Sequence, residues 1–148
     1  MRTKQEFRAT RERVGMSQAY LARLMGVSTR SVRYWEDANS QRVPPDEAWE
    51  ILGKALRRQR EVISFAYSKV DEVADRIGHM PESIQLPYWL SESEYNTLST
   101  DAAYGLDGDW RMANANSIIF AAILEADGVE VEWVEGNPAR PDGTCIEE

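Results

Sequence analysis

The side chains of this sequence best suited to chemistry are guanidiniums, hydroxyls and amides in its first sixty residues. Thr29, Arg30, Arg33 and Tyr34 follow Ser28 closely, at spacings that turn them outward from a helix whose Val32 and Trp35 point inward. A guanidinium offers paired, planar donors, so the chemistry on offer is recognition by hydrogen bonding and charge. Bond-making chemistry is not legible. No paired carboxylates with supporting bases, no nucleophile–base set and no phosphate-binding loop stands in the chain. Cys145 and His79 are the single cysteine and the single histidine, which excludes an intramolecular disulfide and an ordinary zinc site. No enzyme activity, metal or cofactor is expected.

Charge divides the chain more sharply than its net value of -8 suggests. Residues 1–60 hold 13 Lys and Arg against 7 Asp and Glu, whereas residues 61–148 hold 4 against 18. A basic face joined to an acidic module is the pattern of a nucleic-acid reader carrying a second part that nucleic acid repels. Apolar residues at 43% fit a folded globular protein, and no run is long enough to span a membrane. The N-terminus lacks the apolar stretch of a secretion signal, so the cytoplasm is the expected location.

The elements that must position these residues follow from local signals. A first helix over about residues 3–13 carries Phe7, Val14 and the stem of Arg11, and closes at Gly15. Ser17 caps a second, with Leu21, Ala22, Leu24 and Met25 as its apolar stripe; Gly26 supplies the turn, and Ser28 caps a third. After a loop over 37–43, Pro44, Pro45 and Asp46 begin a much longer helix ending near Gly78. Along it Trp49, Leu52, Leu56, Gln59, Ile63, Ala66, Val70, Val73 and Ile77 step by three and four. That heptad seam predicts a partner helix, with polar Gln59 fixing register in a homodimer; packing of the apolar face on the C-terminal elements of the same chain is compatible with this, because Val62 and Phe65 flank the seam. Beyond it, strands are predicted at 84–90 and 129–134, separated by a loop with Gly105 and Gly108 and a helix over 109–126. Tyr88, Trp89, Trp110 and Trp133 read as core or as a pocket lining, and residues 136–148 as a loose tail. The fold expected is mainly α: a helix-turn-helix bundle over 1–58, a connecting helix, and a small acidic α/β dimerisation module over 59–135.

Residues 16–36, MSQAYLARLMGVSTRSVRYWE, resemble the Cro/C1 (XRE) family of phage-repressor helix-turn-helix domains, with Gln18, Leu21-Ala22, Gly26-Val27-Ser28, Val32 and Trp35-Glu36 in register. The resemblance covers about the first 55 residues and implies binding of double-stranded operator DNA by a homodimer. On that template Thr29, Arg30, Arg33 and Tyr34 read base edges, Arg30 best of all through guanine O6 and N7. Gln18, Ser28, Asn39 and Arg42 hold phosphates, and Arg11 pairs with Glu36 as a structural link. The chain departs from the family at Asp37-Ala38-Asn39, where a glycine-containing turn is usual; Asn39 can take up the left-handed conformation instead. The layout as a whole is similar to the anti-CRISPR-associated regulators, which implies an autorepressor of a phage or mobile element, with RNA as a further partner. An antitoxin whose acidic half binds a protein partner is the alternative reading, and a helix-turn-helix used only to hold a protein is another.

Overall fold

A computed structural model describes residues 2–98 and 109–136. The chain divides into two compact units, Met1–Arg60 and Glu61–Glu148. It is mainly helical, with an N-terminal helix-turn-helix, a long helix, and a C-terminal region holding two strands. The expected loop at Gly105 and Gly108, Cys145, and the tail beyond Gly136 lie outside the described residues.

The first unit opens with α1 (Lys4–Val14), α2 (Gln18–Met25) and α3 (Thr29–Glu36). Each begins on a hydroxyl cap: Thr3, Ser17 and Ser28 accept from the backbone N–H of Glu6, Tyr20 and Ser31. Those bonds satisfy donors that a helix start otherwise leaves open. Gly15 (φ 76°) and Gly26 (φ 67°) turn the chain out of α1 and α2 through the left-handed region, which costs a side-chain-bearing residue about 1–2 kcal/mol. α4 (Asp46–Ile77) supplies the fourth wall with its first half. Phe7, Val14, Leu21, Val32, Ala48 and Leu52 form a core essentially closed to solvent. Phe7 meets Trp35 and Trp49 edge-on, with centroids 6.3 and 5.2 Å apart. Leu24, expected in the stripe of α2, is half exposed instead.

In the second unit the later half of α4 is followed by β1 (Ser83–Pro87), α5 (Glu92–Leu98), α6 (Trp110–Ala126) and β2 (Glu130–Val134). The strands pair in parallel, Ile84 beside Val131 and Leu86 beside Trp133, a pairing that needs the long connection between them. α6 packs on this ribbon, and Val70, Ile84, Leu86, Phe120, Leu124 and Val129 make the core. β1 stops short of the predicted Leu90. Asn114 explains the stop, because its amide bonds both the N–H and the carbonyl of Trp89 at 2.8 Å and takes these two groups away from the sheet. Trp89 is buried edge-on against Tyr95, whereas Trp133 and Tyr88 meet edge-on at the surface.

The heptad face of α4 is covered by its own chain. Leu52, Gln59, Val70 and Val73 are buried, and Ile63 and Ala66 pack against the core of the second unit. Leu56 is half-buried, and Ile77 is the seam residue left open. Gln59 donates to the carbonyl of Arg13 at 2.8 Å, so its amide completes the last turn of α1. Much of the apolar period is thus used within the chain, a packing that the sequence allows beside a role between chains.

Candidate nucleic-acid interface

α3 carries the side chains of the site, and its inner face fixes their direction. With Val32 and Trp35 buried, Arg30 and Arg33 stand exposed, and Thr29 and Tyr34 half-buried beside them. Among the described residues neither Arg30 nor Arg33 has an ion pair or a hydrogen-bond partner. Two free guanidinium forks one turn apart are poised for acceptors outside the chain. Ser28 sits at the start of the same helix, its hydroxyl 3.1 Å from that of Ser31. The first peptide N–H groups there present the positive end of the helix dipole, which favours an anion.

The position of α3 is set by a buried ion pair. Arg11 on α1 forks onto Glu36 at the end of α3, with Nε to Oε2 at 2.6 Å and Nη2 to Oε1 at 2.7 Å. Its Nη1 donates to the carbonyl of Met16 in the α1–α2 turn at 2.9 Å. Gln18 Nε2 adds a third donor to Glu36, at 3.2 Å. Both charged side chains are more than nine-tenths buried, so one fork joins α1, the turn and α3. Gln18 is thereby tied into this link, and its second amide hydrogen remains as the donor a phosphate could use. On the open side of α1, Arg8 bonds Glu12 and lies 3.9 Å from Glu36; the Arg8 hydrogen bond holds the Glu12 carboxyl below the usual range.

The loop after α3 closes without a left-handed residue. Among the described residues no side-chain-bearing residue has positive φ, so Asn39 does not adopt that conformation. The Asp37 carboxylate accepts from the N–H of Asn39 at 2.9 Å and builds the turn. Arg42 returns over the ring of Tyr34, 4.9 Å from its centroid, so these two predicted contacts form one cation–π unit. Asn39 is exposed on the same loop. Lys4 was not singled out by sequence, yet its ammonium donates to the carbonyls of both Tyr34 and Arg42. Those partners lie 30 and 38 residues away, so no local pattern could have revealed them.

No group of side chains among the described residues has the makings of a metal site, and no helix among them is long and apolar enough to cross a membrane. A comparison with curated proteins finds no match for the chain. Residues 5–65 match the family model of a helix-turn-helix domain, the arrangement that α1 to α4 build in the first unit.

Proposed function

We propose that this protein is a sequence-specific DNA-binding transcriptional regulator, a dimeric autorepressor acting on an inverted-repeat operator. The observation that carries the reading is the outward face of α3. Arg30 and Arg33 stand there exposed and, among the described residues, without partners, on a helix locked from behind by Val32, Trp35 and the Arg11–Glu36 fork. A helix of this width fits the major groove, where each base pair displays its own pattern of donors and acceptors. Thr29, Arg30, Arg33 and Tyr34 read base edges, with Arg30 bidentate on guanine. Ser28 at the helix start, Gln18, Asn39 and Arg42 meet phosphates and set the register. Arg42 reaches its phosphate from the ring of Tyr34, which orders an otherwise flexible cation before binding. The charge split supports the same division: the positive unit attracts the duplex, and the acidic unit keeps it from settling elsewhere on the chain.

Selection of bound sites from random duplexes tests this. The recovered sites should share a motif of two inverted half-sites about one helical turn (~34 Å) apart. Recovery of no preferred sequence, at low and at physiological salt, overturns the reading.

A further inference from the structure

The loop between α3 and α4 shapes itself through short-range bonds. The N–H of Asn39 reaches the Asp37 carboxylate, that of Ser40 the Asp37 carbonyl and that of Arg42 the Ser40 hydroxyl, at 2.9, 3.1 and 3.1 Å. None of these spans more than three residues, so they bend the loop without fastening it to the helices. Pro44 and Pro45 follow and have no N–H to donate, so at those two positions the backbone can be fastened only through carbonyls. Lys4, half-buried in the first turn of α1, supplies a donor just before them. Its ammonium bonds the carbonyl of Arg42 at 2.5 Å and that of Tyr34, in the last turn of α3, at 2.8 Å. Carbonyls of a last helical turn lack partners within the helix, and a cation there also suits the negative end of the dipole. Among the described residues no carboxylate pairs with Lys4.

The two residues so joined are the ones whose side chains meet, since Arg42 lies over the ring of Tyr34, 4.9 Å from its centroid. A cation–π contact between partly exposed side chains is a weak tie by itself. One ammonium on both backbones holds the two residues at a fixed separation and keeps the stack together. The geometry points to Lys4 as a positioning residue for DNA binding: it fastens the 37–43 loop to α3, so that Arg42 meets its phosphate already in place. Order before binding spares the entropy of immobilising the loop and its long side chain on the duplex. α3 itself does not depend on Lys4, because the Arg11–Glu36 fork and the buried Val32 and Trp35 hold it. Lys4 therefore acts on the phosphate contact and not on base reading by Arg30. This role in DNA binding rests on the reading of α3 proposed above, whereas the order of the loop belongs to the free protein.

The test compares the full wild-type chain with Lys4→Met, Arg42→Ala, the double variant and Lys54→Met. Lys54 is exposed on α4, and replacing it removes the same charge from the same unit. Without DNA, amide order parameters over 37–43 should be about 0.85 in wild type and Lys54→Met and below about 0.6 in Lys4→Met, with α1 to α3 unchanged. Lys4→Met should weaken binding to a selected operator and a scrambled duplex alike, by several fold and as much as Arg42→Ala. It should also lower the salt slope by about one charge. In the Arg42→Ala background Lys4→Met should change neither affinity nor slope, because the contact through which it acts is already gone. A loop that stays ordered in Lys4→Met overturns the proposal, as does a general loosening of α1 to α3. So does a further loss of affinity in the double variant, which would make Lys4 a phosphate contact through its third hydrogen. An equal loss in Lys54→Met, an effect of net charge, overturns it as well. If wild type binds no duplex, the operator reading falls, and the order parameters alone decide whether Lys4 fastens the loop.

Discussion

Replacing Glu36 by alanine should remove most of the stability of the first unit. The carboxylate accepts Nε and Nη2 of Arg11 and Nε2 of Gln18, and its side chain is only 3% exposed. Without it, the Arg11 guanidinium stays buried, charged and held only by the Met16 carbonyl. Breaking a buried pair from one side costs about 3–5 kcal/mol, because the charge left behind has lost both water and partner. A unit of 60 residues has roughly 3–9 kcal/mol to lose, at 0.05–0.15 kcal/mol per residue. Glu36→Gln, which keeps the shape and one acceptor, should cost less. The double variant Arg11→Met/Glu36→Leu should recover part of the loss, since no charge remains buried. Urea unfolding gives the overall change. Native-state hydrogen exchange of the α1–α3 amides isolates the first unit, where protection should fall by about 100-fold or more. A cost below about 1 kcal/mol for Glu36→Ala, or a double variant no more stable than the single, would show that the Arg11–Glu36 pair does not hold the first unit together.

Other expectations concern the second unit. Asn114→Leu should destabilise it by about 2–4 kcal/mol, because the Trp89 N–H and carbonyl both lose their buried partner, and urea unfolding will measure it. The Tyr67 hydroxyl donates to Asp127 at 2.6 Å, and this bond, with the nearby negative charge, raises its pKa above the ordinary 10.0. A raised folded pKa means that the contribution is complete below the unfolded value and fades as pH climbs through the folded one. Ultraviolet titration should therefore show one phenol fewer ionising late in Asp127→Asn than in wild type; identical curves would rule out the bond.

The first unit was legible in the sequence because its signals are local. Ser17 and Ser28 cap, Gly15 and Gly26 turn, and Val32 and Trp35 mark an inner face, each within a few residues of what it controls. Apolar period was a weaker guide, because it shows that a face is covered and not by what. On α4 the covering comes from α1 through Gln59 and from the second core through Val70, so a seam that suggested a second chain is used within this one. On α6 the apolar content is so even that no single face stood out, and only exposure distinguishes Ile118 from Phe120. α5 was missed although Ser91 accepts from the N–H of Glu94, a capping pattern that its seven polar-rich residues did not reinforce. Trp133 reads in the sequence as core or pocket lining, yet a two-stranded ribbon covers only part of its face, and the tryptophan meets Tyr88 edge-on at the surface.

Base reading by α3 is tested by comparing wild type with Arg30→Ala on a selected operator and a scrambled duplex across a salt series. Arg30→Ala should lose about 1–3 kcal/mol on the operator, keep its affinity for the scrambled duplex within a few fold, and relax preference at one position of each half-site. Arg42→Ala, as a phosphate contact, should weaken both duplexes alike and flatten the salt dependence by about one charge. If Arg30→Ala leaves the ratio of operator to scrambled affinity unchanged, Arg30 does not read bases and the assignment of α3 fails.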